Sequence, residues 1–394
     1  MATTFLEPGG DATFVAPGGV NTLWSTGAGA PSIVTDFVHG GHIKSTRFLP
    51  ASANFVFKTC LADAGSRISF YIYLVAKPNA TATFAALAGA GSKIVALRLT
   101  TGGVLQLWRT VAGSPSAQIG TNGATLSTGV WYRISLAYTI TSATVNRFEL
   151  FKDAVSTISI TNTTISGTGS TQLYLGNEGT DSLLDFRASD IYVDNSNALT
   201  DPGDIWVTAK RPIANGTTNG FTTQIGSSGS GVGTGHSPQV NERPLSTTNG
   251  WSMVGAGSAV TEEYNIESAS AGDIDISAKT IVDWLGWVSM KALVGETISV
   301  ILNGASVAQA ITSTITLYLK IKGSATYPAG TGADIGAITD TSLTTVSLYE
   351  CGVVVAYKTA ATTSVKTWNG LAKASIKTIN GLAIASVKTW NGLS

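Results

Sequence analysis

The sequence predicts an all-β protein made of two tandem antiparallel β-sandwich domains, followed by a C-terminal ribbon of β-repeats. Three observations support this prediction. Short segments alternate between apolar and polar residues, turns rich in Gly, Asn, Ser and Thr separate them, and an eleven-residue unit recurs three times near the C-terminal end. Many short strands with no convincing helix between them are typical of sandwiches and jelly rolls.

The strand pattern is clearest at residues 127–138, S-T-G-V-W-Y-R-I-S-L-A-Y. Gly129 ends a turn, and alternate residues then point to opposite sides of an extended strand. One side carries Val130, Tyr132, Ile134, Leu136 and Tyr138, and the other carries Trp131, Arg133, Ser135 and Ala137. This alternation predicts a half-buried β-strand.

The composition narrows the range of partners. Charged residues make up 12% of the 394 residues, about half of the usual share. Lys+Arg and Asp+Glu number 24 each and form no basic cluster, so no nucleic-acid partner is predicted, because phosphate binding needs clustered Lys or Arg. The two cysteines, Cys60 and Cys351, allow at most one disulfide and are predicted to be buried thiols within strands.

The sequence carries no recognisable export or membrane signal. The stretch M-A-T-T-F-L-E-P-G-G lacks the basic and apolar regions of a secretory leader. The longest apolar runs are far too short to cross a bilayer, so no membrane insertion is expected. An extracellular type of composition without a leader favours a virion protein, made in a host cytoplasm and released by lysis. Loss of a leader is the alternative.

Composition shifts divide the chain into four parts. Residues 1–213 are expected to form the first sandwich, residues 214–237 a Gly/Ser-rich linker, residues 238–358 the second sandwich and residues 359–394 the repeats. Residues 280–290 (T-I-V-D-W-L-G-W-V-S-M) allow either a helix or a strand. Gly286 and the β-rich pattern that follows favour a strand.

Four segments of the first domain resemble a known family in their order along the chain. They are residues 103–107 (G-V-L-Q-L), 129–134 (G-V-W-Y-R-I), 173–176 (L-Y-L-G) and 186–194, which end in I-Y-V-D. Together they resemble the laminin-G-like/concanavalin-A-like domains of phage and bacterial surface proteins, over residues 1–212. The resemblance implies a jelly-roll sandwich of two antiparallel sheets with a glycan or protein site at loops of one face, in some members through Ca²⁺. More weakly, the second domain resembles the segment that often follows such a domain in phage structural proteins.

Two segments could hold a metal. In H-G-G-H, His39 and His42 are spaced for two imidazole ligands, but no further Cys or His cluster completes a zinc site, so a solvated turn is expected. Residues 194–204 form an oxygen-rich loop. The candidate Ca²⁺ ligands there are Asp194, Asn195, Asn197, Asp201 and Asp204. Asp/Asn/Ser loops also form for turn reasons alone, so the expected cofactor is none, with Ca²⁺ as the alternative.

Aromatic residues offer a route to ligand binding. Trp131 and Trp284 lie inside apolar strand patterns and are expected in the cores. Trp24 and Trp251 lie in polar, loop-like surroundings, so they are the predicted ligand contacts.

No catalytic constellation is visible, and the chain is predicted not to be an enzyme. Glu262 and Glu263 are neighbours that point to opposite faces of a strand, whereas a glycosidase needs two carboxyls that face each other. Asp273 and Asp275 share a face and are the remaining carboxylate pair.

The repeats span residues 361–371, 372–382 and 383–393, and each ends in Asn-Gly-Leu. Asn-Gly favours a type I′ hairpin turn over a helix of period eleven, although a short-period solenoid also fits. The hairpin register places Trp368 opposite Leu371, Ile379 opposite Leu382 and Trp390 opposite Leu393. A three-stranded ribbon that is apolar on both faces is marginal alone, so these six residues are predicted to mediate assembly or to pack on their own domain.

Together these observations favour a non-enzymatic surface protein of a bacteriophage virion, either a tail fibre or spike or a capsid-decorating protein. The expected partners are copies of itself, with a trimer favoured, other virion proteins and a host surface glycan. The alternatives are a bacterial carbohydrate-binding adhesin module and a polysaccharide-degrading enzyme.

Overall fold

The structure is a computed structural model. It describes residues 3–7, 25–28, 31–50, 54–62, 64–89, 92–177, 183–221, 223–225, 250–254, 259–311, 317–322, 327, 334–338, 345–359, 367–368, 371–372, 378–379 and 382–383. These residues contain strands and no helix, so the predicted all-β class is confirmed. No helix in the described part of the chain is long and apolar enough to span a membrane.

The first sandwich is built from fifteen strands. They are β1 (Thr3–Glu7), β2 (Ser25–Ala28), β3 (Ser32–Val34), β4 (Ser45–Phe48), β5 (Asn54–Thr59), β6 (Gly65–Ala76), β7 (Ala82–Gly89), β8 (Ser92–Leu99), β9 (Leu105–Val111), β10 (Ser114–Ile119), β11 (Trp131–Ile140), β12 (Asn146–Lys152), β13 (Val155–Thr161), β14 (Gln172–Asn177) and β15 (Asp185–Asp194). The order β13-β12-β11-β6-β15-β4-β3, with β1 on β15, forms an eight-stranded sheet, and β10-β9-β8-β7-β14-β5-β2 forms a seven-stranded sheet.

The apolar sides of these two sheets meet in one core. The predicted alternation of β11 is confirmed on its inner side, where Ile134, Leu136 and Tyr138 are buried in this core. Trp131, on the opposite side, is only half-buried and lies outside the core, so its predicted core position is wrong. Cys60 and Cys351 are both buried thiols, as predicted; Cys351 lies in a strand, whereas Cys60 directly follows β5.

The second sandwich contains strands β16 to β26. They are β16 (Trp206–Lys210), β17 (Pro212–Asn219), β18 (Thr223–Ile225), β19 (Gly250–Val254), β20 (Thr261–Ile266), β21 (Thr280–Lys291), β22 (Thr297–Leu302), β23 (Ala305–Ala310), β24 (Leu317–Lys322), β25 (Asp334–Ile338) and β26 (Thr345–Lys358). The order β18-β19-β26-β21-β24, with β16 on β26, packs against the order β17-β20-β25-β22-β23. Residues 280–290 were predicted to form a strand rather than a helix, and strand β21 confirms this prediction. Trp284 is fully buried in this core, as predicted.

The boundary between the sandwiches lies earlier than predicted. Strand β16 pairs with β26 and β17 pairs with β20, so residues 206–219 belong to the second sandwich rather than to the first or to a linker. The Asn, Gly and Thr of β17 indicated a loop, but backbone hydrogen bonds to β20 hold this segment as a strand. Residues 226–237 of the predicted linker lie outside the described residues.

A third apolar cluster joins the two sandwiches, and we call it the junction. Its members are Leu6, Tyr192, Ile205, Val207, Ala209, Leu285, Trp287, Val354 and Ala356. They come from strands of both sandwiches and from the segment between them, so the outer side of the eight-stranded sheet is covered where the second sandwich packs on it.

The C-terminal repeats form hairpins in the predicted register. Strands β27 (Thr367–Trp368) and β28 (Leu371–Ala372) pair with Trp368 opposite Leu371. Strands β29 (Thr378–Ile379) and β30 (Leu382–Ala383) pair with Ile379 opposite Leu382. The prediction that the repeats form one continuous ribbon is wrong for these four strands, because the two hairpins form separate two-stranded sheets. Trp390 and Leu393 lie outside the described residues.

Candidate functional site

A continuous row of side chains crosses five strands of the seven-stranded sheet. The register places Trp108 opposite Ala96, Ala96 opposite Ala86, Ala86 opposite Tyr174 and Tyr174 opposite Phe57. Side chains that are directly opposite on neighbouring strands lie on the same face of a sheet. We call this row, with Arg98 and Gln106 beside it, the aromatic face.

The aromatic face points away from the core of the first sandwich. The adjacent row on the same strands consists of Leu107, Leu97, Ala85, Leu175 and Val56, all of which are buried in that core. Because successive residues of a strand alternate between faces, the aromatic row must lie on the other side. Trp108, Tyr174 and Phe57 are half-buried there, so part of each ring is exposed.

Two buried alanines separate the aromatic rings in this row. Trp108 and Tyr174 are three strands apart, which corresponds to about 14 Å at the usual spacing between strands. Only the methyl groups of Ala86 and Ala96 lie between them in this row. Both alanines are fully buried, so a ligand on this face would contact the exposed parts of the two rings and not the alanines.

Polar contacts hold the Trp108 end in place. The indole Nε1–H of Trp108 donates to Gln106 Oε1 over 2.9 Å, and Gln106 Nε2 donates to Asn122 Oδ1 over 2.7 Å. Gln118 donates to the same Asn122 oxygen over 3.1 Å. The guanidinium of Arg98 lies 4.5 Å from the centre of the Trp108 ring, a cation–π distance. The ring is therefore preorganised.

The Tyr174 end is an aromatic stack. Phe57 stacks on Tyr174 at 5.2 Å between ring centroids, and Phe55 lies at 5.6 Å on the same ring. Lys93 Nζ lies 5.8 Å from the centre of the Tyr174 ring. Both ends of the row thus combine an aromatic ring with a basic side chain.

A cavity of about 470 Å³ lies at the end of strands β7 and β8. Its lining consists of Gly89, Ser92, Ile94, Ser166, Gly167, Thr168 and Gly169. Ser166 Oγ lies 3.0 Å from Thr110 Oγ1 on β9, two residues after Trp108. Hydroxyl groups and glycine backbone dominate this lining, so it suits a polar ligand better than an apolar one.

The predicted calcium ligands have protein partners. Asp194 forms an ion pair with Arg67 at 2.9 Å, and Asp201 forms one with Arg133 at 2.7 Å. Asp204 accepts a hydrogen bond from the Tyr71 hydroxyl. Asn195 Oδ1 accepts a hydrogen bond from Ser66 Oγ at 3.0 Å. The side-chain oxygen of Asn197 lies next to Gly65, 3.1 Å from the position that a Cβ would take there. No group of three or more Cys, His, Asp or Glu among the described residues could hold a metal, and the Ca²⁺ hypothesis stays a prediction.

The solvated turn expected at His39 and His42 is wrong, because both imidazoles are buried. His39 Nδ1 lies 2.7 Å and His42 Nε2 lies 2.9 Å from the two oxygens of the fully buried Asp190. The Val207 backbone N–H donates to Asp190 Oδ1 at 2.7 Å. A carboxylate 148 or more residues away in sequence provides the acceptors that allow burial of this turn.

The predicted ligand contacts lie elsewhere. Trp251 lies in strand β19, between β18 and β26, and not in a loop. Its role in ligand contact stays a prediction, and Trp24 lies outside the described residues. Sequence reasoning did not single out Trp108, although a signal was present. In V-L-Q-L-W-R-T-V, Trp108 shares a side with Gln106 and Thr110 rather than with the leucines, which indicates an outward ring.

The candidate catalytic carboxylates have structural contacts. Asp273 pairs with Arg211 at 3.1 Å, and Asp275 accepts hydrogen bonds from the backbone and side chain of Ser277. Glu262 is buried and accepts a hydrogen bond from the Phe221 backbone N–H at 2.9 Å. The exposed Asp275 and the buried Glu262 do not share a surface.

No protein-family model and no curated protein sequence matches the chain. Among solved structures, an endo-β-1,4-glucuronan lyase from the fungus Trichoderma reesei is similar, with 14% identity, a TM-score of 0.37 and coverage of 51% of this chain and 99% of that chain. The cellulose-induced protein Cip1 shows 16% identity and a TM-score of 0.37 over 46% of this chain and 93% of that chain. The binding domain of Paraclostridial Mosquitocidal Protein 1 shows 11% identity and a TM-score of 0.34 over 57% of each chain. Similarities this low carry no argument about activity or ligand.

Proposed function

We propose that the chain is a non-enzymatic protein of a bacteriophage virion surface, a tail fibre, spike or capsid-decorating protein, that binds a host surface glycan. The aromatic face is the observation that carries the binding part of this proposal. Sugars present apolar C–H faces and a rim of hydroxyls. Half-buried rings with Gln, Asn and Arg beside them complement both features.

Three features support the virion part of the proposal. They are the low charge of the chain, the two tandem sandwiches and the Asn-Gly hairpin repeats, which resemble those of phage and bacterial surface proteins. In this proposal the repeats assemble the chain into a homo-oligomer, with a trimer favoured, and attach it to other virion proteins.

Replacement of Trp108 by Ala is expected to weaken glycan binding by at least about tenfold, because truncation of an aromatic anchor in a binding surface costs on the order of 2 kcal/mol. The wild-type chain is screened against an array of bacterial surface polysaccharides. Isothermal titration calorimetry then measures the affinity of each variant for the glycans that bind the wild-type chain.

Phe37→Ala is the matched control, because Phe37 is an exposed aromatic residue, 46% accessible, that stacks on Tyr73 of the other sheet. It is expected to bind like the wild type. Equal binding by Trp108→Ala and the wild type would remove the aromatic face from the proposal. Absence of binding to every surface polysaccharide would reject glycan binding as the function.

Truncation after Lys358 tests assembly through the repeats. The truncated chain keeps both sandwich cores and is expected to be a monomer, whereas the full chain is expected to be a trimer. Light scattering after size exclusion measures the two masses. If both chains are monomers, the repeats do not assemble the protein. The proposal of a tail fibre is then replaced by that of a protein that decorates a preformed capsid lattice.

A further inference from the structure

The strands of the seven-stranded sheet contain basic residues and no acidic residue. The basic residues are Lys58 in β5, Lys93 and Arg98 in β8, and Arg109 in β9. The other four strands of this sheet carry no charged residue at all. Lys58 and Arg109 are in register with the core residues Leu173 and Val95, so the aromatic face has Arg98 and Lys93 as its basic side chains and no acidic residue from its own strands.

Arginines of the eight-stranded sheet, in contrast, form ion pairs with aspartates. Arg47, Arg67 and Arg133 each pair with an aspartate at 2.7–2.9 Å. Arg187 pairs with both Asp36 and Asp185. A half-buried cation is usually balanced in this way, because its desolvation is unfavourable without a counter-charge.

Arg98 has no such partner among the residues that the structure describes. Its Nη2 donates to the backbone oxygen of Thr81, and its guanidinium lies against the Trp108 ring. Within the described part of the chain it forms no ion pair, and its buried Nε has no hydrogen-bond acceptor. Burial lowers the pKa of Arg98 from its ordinary value, which an opposite charge at this position would reverse.

We infer that the glycan bound on the aromatic face is acidic and that its carboxylate pairs with Arg98, an inference that rests on the function proposed above. A sugar ring against Trp108 meets the guanidinium beside it, and a planar carboxylate matches the donor geometry of Arg. Lys93, beside Tyr174 at the other end of the row, provides a second positive charge for a polymer with repeated acidic sugars.

The test compares each polymer with its own neutral form. Alginate, polygalacturonate, hyaluronan and polysialic acid, together with the same polymers after chemical reduction of the carboxylates to alcohols, are titrated against the full chain. We expect at least one acidic polymer to bind and its reduced form to bind about tenfold or more weakly. Arg98→Gln is expected to lower binding of the acidic form by a similar factor and binding of the reduced form by less, so that the affinities for the two forms become nearly equal, while Arg98→Lys retains part of the preference for the acidic form.

Lys152→Gln is the matched control, because Lys152 lies 4.5 Å from the Tyr132 ring on the opposite sheet. It is expected to bind like the wild type. Equal affinity for acidic and reduced polymers, or an Arg98→Gln variant with full affinity for the acidic form, overturns the inference and leaves glycan binding intact. Binding of neutral array glycans alone also overturns it. If no polymer or array glycan binds, the proposed function fails with it.

Discussion

Replacement of Asp190 by Ala is expected to lower the free energy of unfolding by about 3–5 kcal/mol, the usual consequence of removing one partner from a buried charged cluster. The Asp190 carboxylate is fully buried and accepts from four donors. They are the imidazoles of His39 and His42, the Val207 backbone N–H and the Ser189 hydroxyl. Alanine would leave these donors without their acceptor in a site closed to water.

Urea unfolding followed by tryptophan fluorescence measures this change. Asp275→Ala is the control, because Asp275 is an exposed carboxylate that, among the described residues, accepts only from Ser277, and its loss is expected to cost about 1 kcal/mol or less. Asp190 also has a φ of +52°, which Asn tolerates better than Ala. Asp190→Asn should therefore be less destabilising than Asp190→Ala. A loss below about 1 kcal/mol for Asp190→Ala would contradict the role given to this carboxylate.

The same carboxylate predicts an acid-sensitive stability. Burial acts to raise the pKa of Asp190, but the charge of His42 and the hydrogen bonds from both imidazoles outweigh it and lower the pKa to about 2. This folded value lies below the unfolded value of about 3.9. The stabilisation is thus present above about pH 4 and is lost as the pH falls towards 2. Asp190→Asn should show a flatter stability profile in that window.

Replacement of Gly40 by Ala is expected to disrupt the contact between the two sandwiches. A Cβ at Gly40 would lie 1.6 Å from Cζ3 of Trp206, in the first strand of the second sandwich. The Trp206 ring also stacks on His39 at 4.4 Å, so it cannot move without breaking that contact. Such overpacking costs about 1–3 kcal/mol, in addition to the strain of a positive φ of +54°.

A double-mutant cycle separates the clash from the backbone strain. In a Trp206→Ala background the ring is absent, and Gly40→Ala should cost at least about 1 kcal/mol less than in the wild type. Gly41→Ala is a second control, because Gly41 also has a positive φ, +102°, but nothing within 4 Å of its Cβ position. Thermal unfolding and near-ultraviolet circular dichroism of tryptophan provide the readouts. Equal costs in both backgrounds would show that Trp206 does not restrict this position.

Local patterns in the sequence predicted features that depend on near neighbours. The alternation of β11 identified Ile134 and Leu136 as inward residues, because the pleat of a strand assigns faces by parity alone. The β-rich context of β21 indicated a strand where a helix was also possible. Asn-Gly determined the hairpin register of Trp368 with Leu371, because the turn geometry brings residues on either side into pairing.

The all-β class, the strands and the hairpin turns thus follow from contacts between residues close in the chain. The way in which distant residues combine depends on the packing of the strands. His39 and Asp190 are 151 residues apart, and the sequence around H-G-G-H contains no sign of the carboxylate that allows its burial. The aromatic face likewise aligns Trp108 with Tyr174, three strands away, because β14 pairs with β7 through sheet order rather than chain order. Charge pairing and strand order are long-range properties, so the local pattern around Trp108 could indicate an outward ring but not its alignment with Tyr174.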